Sequence, residues 1–169
     1  MRSTEWRPRD AGCQFACHRR AAIGELIVSR FPMPSLGCYF TASGRTFDVD
    51  SFLKRTTLDA NVVFYRGQPL RFPKGKLLDR SGFSVTVNHT RVFGDLGPQI
   101  PKALRFLRQR QQELLRLSRF PGITDLRLVF PCCRPEGTYG VERFPAELLE
   151  LAGSRRIGIE LSFYAGWGD

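Results

Sequence analysis

Histidine is nearly missing from this chain: there are two in 169 residues, His18 and His89. Imidazole is the side chain whose ordinary pKa lies nearest neutral pH, so proton transfer and nitrogen-ligated metal sites have little to draw on here. His18 stands in a segment with no sustained helix or strand period, and His89 follows a strand without an assigned partner. Long apolar runs are also absent, which excludes a membrane-spanning helix. The glycine spacings of a P-loop or a dinucleotide fingerprint do not occur, nor does the G-x-S-x-G of a nucleophile elbow. Ser43-Gly44, Ser81-Gly82 and the stretch from Gly137 to Gly140 read as turns or loop.

Cysteine is sparse and odd in number: Cys13, Cys17, Cys38, Cys132 and Cys133. No framework spacing and no cleavable export signal accompany them, a combination that fits a reducing cytosol. Cys13, Cys17 and His18 are soft zinc donors, but their spacing is not C-x2-C and no second pair stands nearby in sequence. Cys132 and Cys133 read as two free thiols in a loop, because a disulfide between neighbours is strained. No metal, cofactor or catalytic residue is expected, and an enzyme built on His89 and a neighbouring acid is the least favoured reading.

What the chain has in abundance is arginine. Lys and Arg number 26 against 16 Asp and Glu, a formal charge of +10, and only four of the cations are Lys. The excess is concentrated between Arg66 and Arg119, where twelve cations face three acids, Asp79, Asp95 and Glu113. From Arg134 onward the sign reverses, with four cations against six acids. A one-sided field of this kind steers polyanions or acidic proteins toward a surface. The candidate binding residues are Arg66, Arg71, Lys74 and Lys76 in a loop and Arg105, Arg108, Arg116 and Arg119 on the outer side of a helix. Tyr65 and Phe72 are at hand to stack on bases. The bland alternative is that these arginines only solvate an amphipathic helix, and no nucleic-acid motif accompanies the charge.

Residues 1 to 35 carry scattered Pro, Cys and Arg without a period, so the predicted compact domain runs from 36 to 169. The leading segment is read either as an upstream extension ahead of a start at Met33 or as a poorly ordered arm. Beyond it, Cys38 to Ser43 predicts a strand and Asp48 a helix cap. Asn61 to Arg66 is β-branched and aromatic, and Phe83, Val85 and Val87 alternate with polar residues, which gives two more strands. One long helix is predicted over about Gln99 to Ser118, its core stripe being Ile100, Leu104, Leu107, Gln111, Leu114 and Leu115. Ile123 to Phe130 predicts a strand. Phe144-Pro145 opens a last helix, with Phe144, Leu148, Leu149 and Leu151 or Ala152 inward and Gly153 as its left-handed end. A strand from Arg156 to Tyr164 closes the series. This order predicts an α+β domain, a mostly antiparallel sheet with helices packed on one face in a ferredoxin-like (split βαβ) variant.

Several stretches, taken in order, carry a resemblance: CYFTASG at 38–44, FDVD at 47–50, the Arg66-Gly67-Gln68-Pro69 turn, the strand at Gly82 to Asn88, PGITDLRLVF at 121–130 and FPAELLELAGSRRIGIELSFY at 144–164. Over about Leu36 to Tyr164 the chain resembles the bacterial domain-of-unknown-function family 4279. The resemblance implies a small bacterial cytoplasmic protein with no assigned substrate. By analogy of form with immunity proteins, the expected function is a non-enzymatic protein-binding domain, immunity- or antitoxin-like, that meets an acidic protein partner through its basic face. The alternative is a nucleic-acid-binding module using the same face, and no membrane is involved in either.

Overall fold

A computed structural model describes residues 37–70, 75–88, 96–134 and 141–165. All of them fall in the second of the two units, Met1–Arg30 and Phe31–Asp169, into which the chain divides. The elements run β1 (Tyr39–Gly44), α1 (Val49–Leu53), β2 (Val62–Phe64), β3 (Ser81–Thr86), α2 (Gln99–Gln109), α3 (Gln111–Ser118), β4 (Asp125–Arg134), α4 (Ala146–Gly153) and β5 (Gly158–Ala165). The five strands form one sheet in the order β2-β3-β1-β4-β5. The β2–β3, β3–β1 and β1–β4 pairs are antiparallel, and only β4–β5 is parallel.

The connection from β1 through α1 to β2 steps over β3, and that from β3 through α2 and α3 to β4 steps over β1. Two interlocked split βαβ units result, with β5 added beside β4 through α4. This is the α+β, ferredoxin-like arrangement that the sequence pattern predicts. Among the described residues no helix is long and apolar enough to cross a membrane.

Alternation decides which side of the sheet is covered. Phe40 and Ala42 of β1, Phe83 and Val85 of β3, and Leu126, Leu128 and Phe130 of β4 are buried. Register places Phe40 beside Val85 and Leu128, and Ala42 beside Phe83 and Leu126, so these side chains form one continuous stripe. Every helix contributes to the same core: Val49 and Phe52, Ala103 and Leu107, Leu114 and Leu117, Leu148 and Ala152. All four helices therefore lie on one face, as predicted. Phe47, Phe52, Phe83 and Phe120 make an aromatic knot under α1, with Phe52 stacked on Phe83 at 5.7 Å and Phe120 edge-on to Phe52 at 5.2 Å. Close approach of backbones is needed where the α3–β4 turn crosses the end of β1. A Cβ on Gly44 would stand 1.8 Å from the Gly122 carbonyl oxygen, and Gly122 itself has φ +84°.

The local signals hold at α1, where the Asp48 carboxylate accepts from the Ser51 N–H at 3.0 Å and the Ser51 hydroxyl at 2.7 Å. Four expectations need correction. The single helix over 99–118 is two helices, because Arg110 leaves the helical basin at φ −101°, ψ 17°. That break changes the buried set: Gln99, Ala103, Leu107, Leu114 and Leu117 are buried, whereas Gln111 is exposed. Leu149 is 50 % exposed, because α4 buries Leu148 and Ala152 instead. The left-handed residue after α4 is Arg156, at φ 57°, and not Gly153, which is still helical. Finally, β4 continues through Cys132 and Cys133, which pair in register with Phe163 and Tyr164 of β5, so they lie in a strand and not in a loop.

Candidate functional site

The fold sorts the positive charge into two sets. The first is matched by acids and belongs to the face of the sheet away from the helices. Asp125 and Arg127 are two residues apart on β4, so both side chains emerge on the side away from the helices. Arg127 pairs with Asp125 at 2.6 Å and with Glu160 of β5. Arg80 bridges Asp79 at 3.0 Å and Asp125 at 3.7 Å, and Asp79 also meets Arg45 at 3.7 Å. The hydrogen bond from Arg80 holds the Asp79 carboxyl below the usual carboxylate range. Arg45, Arg80 and Arg127 thus face Asp79, Asp125 and Glu160, and the row is neutral. Thr41 and Ser84 lie on the same face, the Thr41 hydroxyl donating to the Phe83 carbonyl at 3.2 Å.

Other arginines are spent within the helical layer. Arg108 of α2 forms an ion pair with Glu147 of α4. Arg116 donates to the Arg55 carbonyl at 3.2 Å, and Arg110 to the Thr57 hydroxyl at 3.1 Å. Glu113, one turn beyond Arg110, accepts from the Thr57 N–H and hydroxyl at 2.7 Å each and from the Thr56 hydroxyl at 3.2 Å. Burial alone would raise the Glu113 carboxyl, but those hydrogen bonds outweigh it and hold it below the ordinary glutamate range. Arg155 is 6 % exposed at the end of α4 and donates to the Leu151 carbonyl at 2.6 Å, satisfying a group that helix geometry leaves open.

The second set is unmatched. Lys54, Arg55, Arg66, Lys76, Lys102, Arg105, Arg119, Arg143 and Arg156 are exposed and make no ion pair among the described residues. Lys102 and Arg105 are three residues apart, one helical turn, on α2. Arg119 follows the last residue of α3. Arg66 and Lys76 lie in the β2–β3 connection, whose two arms are held by the Leu78 N–H donating to Gln68 and the Leu70 N–H donating to Lys76. Register puts Ser81 beside Gly44 and Asp125 beside Ser43, so the β2–β3 connection and the end of α3 share one end of the sheet. Lys102 and Arg105 flank the opposite end, along the C-terminal residues of β3.

Of the candidate binding residues, Arg66, Lys76, Arg105 and Arg119 thus make no ion pair among the described residues, and Arg108 and Arg116 are engaged internally. Arg71 and Lys74 lie outside the described residues, as do Phe72, Cys13, Cys17, His18 and His89. Tyr65 is 39 % exposed, and its hydroxyl donates to Asp50 at 2.8 Å, which raises its pKa. Cys38 is fully buried, and burial pushes its thiol up, so it is a packing residue without thiolate character. The sequence reading missed two features: the neutral row on the sheet and Lys102 as the partner of Arg105. Both had a signal, the Asp-x-Arg alternation at 125–127 and the i, i+3 spacing at 102–105.

No family model, curated protein or solved structure matches the chain.

Proposed function

We propose that this chain is a non-enzymatic protein-binding domain of the bacterial cytoplasm that holds an acidic partner protein, in the manner of an immunity protein or antitoxin. The resemblance to domain-of-unknown-function family 4279 belongs to the same proposal. The observation that carries it is the sorting of charge: Arg45, Arg80 and Arg127 are met by Asp79, Asp125 and Glu160, yet Arg66, Lys76, Lys102, Arg105 and Arg119 are exposed and make no ion pair among the described residues. Unpaired surface cations contribute almost nothing to folding, whereas they accelerate and orient the approach of an anionic surface.

The test is capture from host lysate on the immobilised full chain, with and without nuclease and at low and high salt, read by mass spectrometry. One acidic protein retained through nuclease treatment is the expected result, with Lys102→Glu/Arg105→Glu and Arg119→Glu variants losing it. Recovery of nucleic acid alone, lost on nuclease treatment or in high salt, would replace the proposal with the nucleic-acid reading, because phosphate contacts weaken steeply as counterions accumulate.

A further inference from the structure

Beside Lys102 and Arg105 the described residues form a cavity of about 420 Å³ between α2, the end of β3 and the 58–61 segment. That volume falls in the range of sites that enclose small organic molecules, roughly 300–1,000 Å³. Four residues give it an apolar lining: Leu58, Val85, Val87 and Phe106. The Phe106 ring packs on buried Phe40 at 5.8 Å, so this lining is continuous with the core. Lys102, Arg105, Phe106 and Gln109 are spaced by three or four residues and share one side of α2. Helix geometry therefore sets two cations, an amide and an aromatic ring along a single wall.

The polar groups are mostly donors. Lys102 and Arg105 contribute two cations against one acid, Asp59, while Arg110 is already engaged with the Thr57 hydroxyl. Asn61 uses its side-chain oxygen to accept from the Thr86 N–H at 2.9 Å, which leaves its NH2 group as the remaining hydrogen-bonding end. An apolar lining under an excess of donors matches a molecule with an apolar body and an anionic head.

We infer that this cavity binds a small organic anion, a carboxylate or phosphate monoester borne on an aromatic or branched apolar group. The head lies between Lys102 and Arg105, and the body rests on Val85, Val87 and Phe106. Lys102 and Arg105 also belong to the surface proposed for the acidic partner, but the small-molecule site does not rest on that proposal and is tested without a partner present.

Three probes test it against the full-length protein in amide-resolved NMR titrations: phenylacetate, phenyl phosphate and the uncharged phenylacetamide. The expected result is saturable shifts confined to residues 58–61, 85–87 and 102–110 with the charged probes, and affinity about tenfold lower for the amide, the loss that follows from removing a charge-assisted hydrogen bond. The tighter of the two anions identifies the head group. Lys102→Ser/Arg105→Ser, at exposed positions that leave the fold intact, should bring phenylacetate down to the affinity of the amide. Equal binding of amide and anions, shifts scattered over all surface cations, or no saturation with any probe would overturn the inference.

Discussion

Arg127 and Arg105 are the same residue type with opposite circumstances. Arg127 stands in a strand where alternation brings Asp125 and Glu160 to its side, and its charge is cancelled on the spot. Arg105 stands on a helix whose neighbouring turn supplies Lys102, and nothing among the described residues cancels either. The difference teaches where charge in this protein serves the fold and where it is left over. Residue counts along the chain do not separate the two: Arg80, Arg108 and Arg116 lie inside the basic stretch, yet all three are engaged internally.

Substitutions can break or sharpen that contrast. The largest effect lies beneath both sets, in the core that positions them: Phe83→Ala removes a fully buried ring stacked on Phe52 and should cost about 3–5 kcal/mol, read by chemical denaturation. Glu113→Ala should come next at about 1–2 kcal/mol, because the Thr56–Thr57 segment loses its charged acceptor. Its pH dependence has a definite sign. The folded carboxyl titrates below the ordinary glutamate range, so its contribution is complete above that range and is lost as pH falls toward the folded value. Acid titration of Glu113→Gln should accordingly show a shallower decline than the parent.

Arg127→Ala should cost about 0.5–1 kcal/mol, modest because its side chain is 39 % exposed, and the loss should shrink in high salt. Arg105→Ala should change stability by less than about 0.5 kcal/mol at any salt concentration. Thermal melts of these two variants at 50 mM and 500 mM salt, run side by side, sharpen the comparison most; a larger loss for Arg105 than for Arg127 would erase it.

Much of the architecture was legible because its signals are local. Alternation at Phe83 and Val85, the Asp48 cap and Pro145 ahead of α4 each act within a few residues, and their order specified the split βαβ pattern. The break at Arg110 was not legible, since neither Pro nor Gly marks it. It coincides with contacts from Arg110 and Glu113 to Thr56 and Thr57, more than fifty residues away in sequence. Arg156 in the left-handed region was hidden for a similar reason: the turn after α4 places a buried Arg155 against Leu151, and the residue that absorbs the unusual φ follows it. The candidate surface was visible only as a sum of charges. Which cations remain free depends on Glu147, Asp125 and the Arg55 carbonyl, partners that folding brings from other segments.

The most direct test of the sorted charge is the order of the arginine side chains themselves, measured by 15N relaxation of their Nε–H groups in the full-length protein and assigned by single Arg→Lys substitutions. Arg127 and Arg80 should be ordered, with order parameters near the rigid value of about 0.85, and Arg105 and Arg119 mobile, below about 0.6. Arg105 as rigid as Arg127 in the free protein would show that its charge is already held, and the division into matched and unmatched cations would fall.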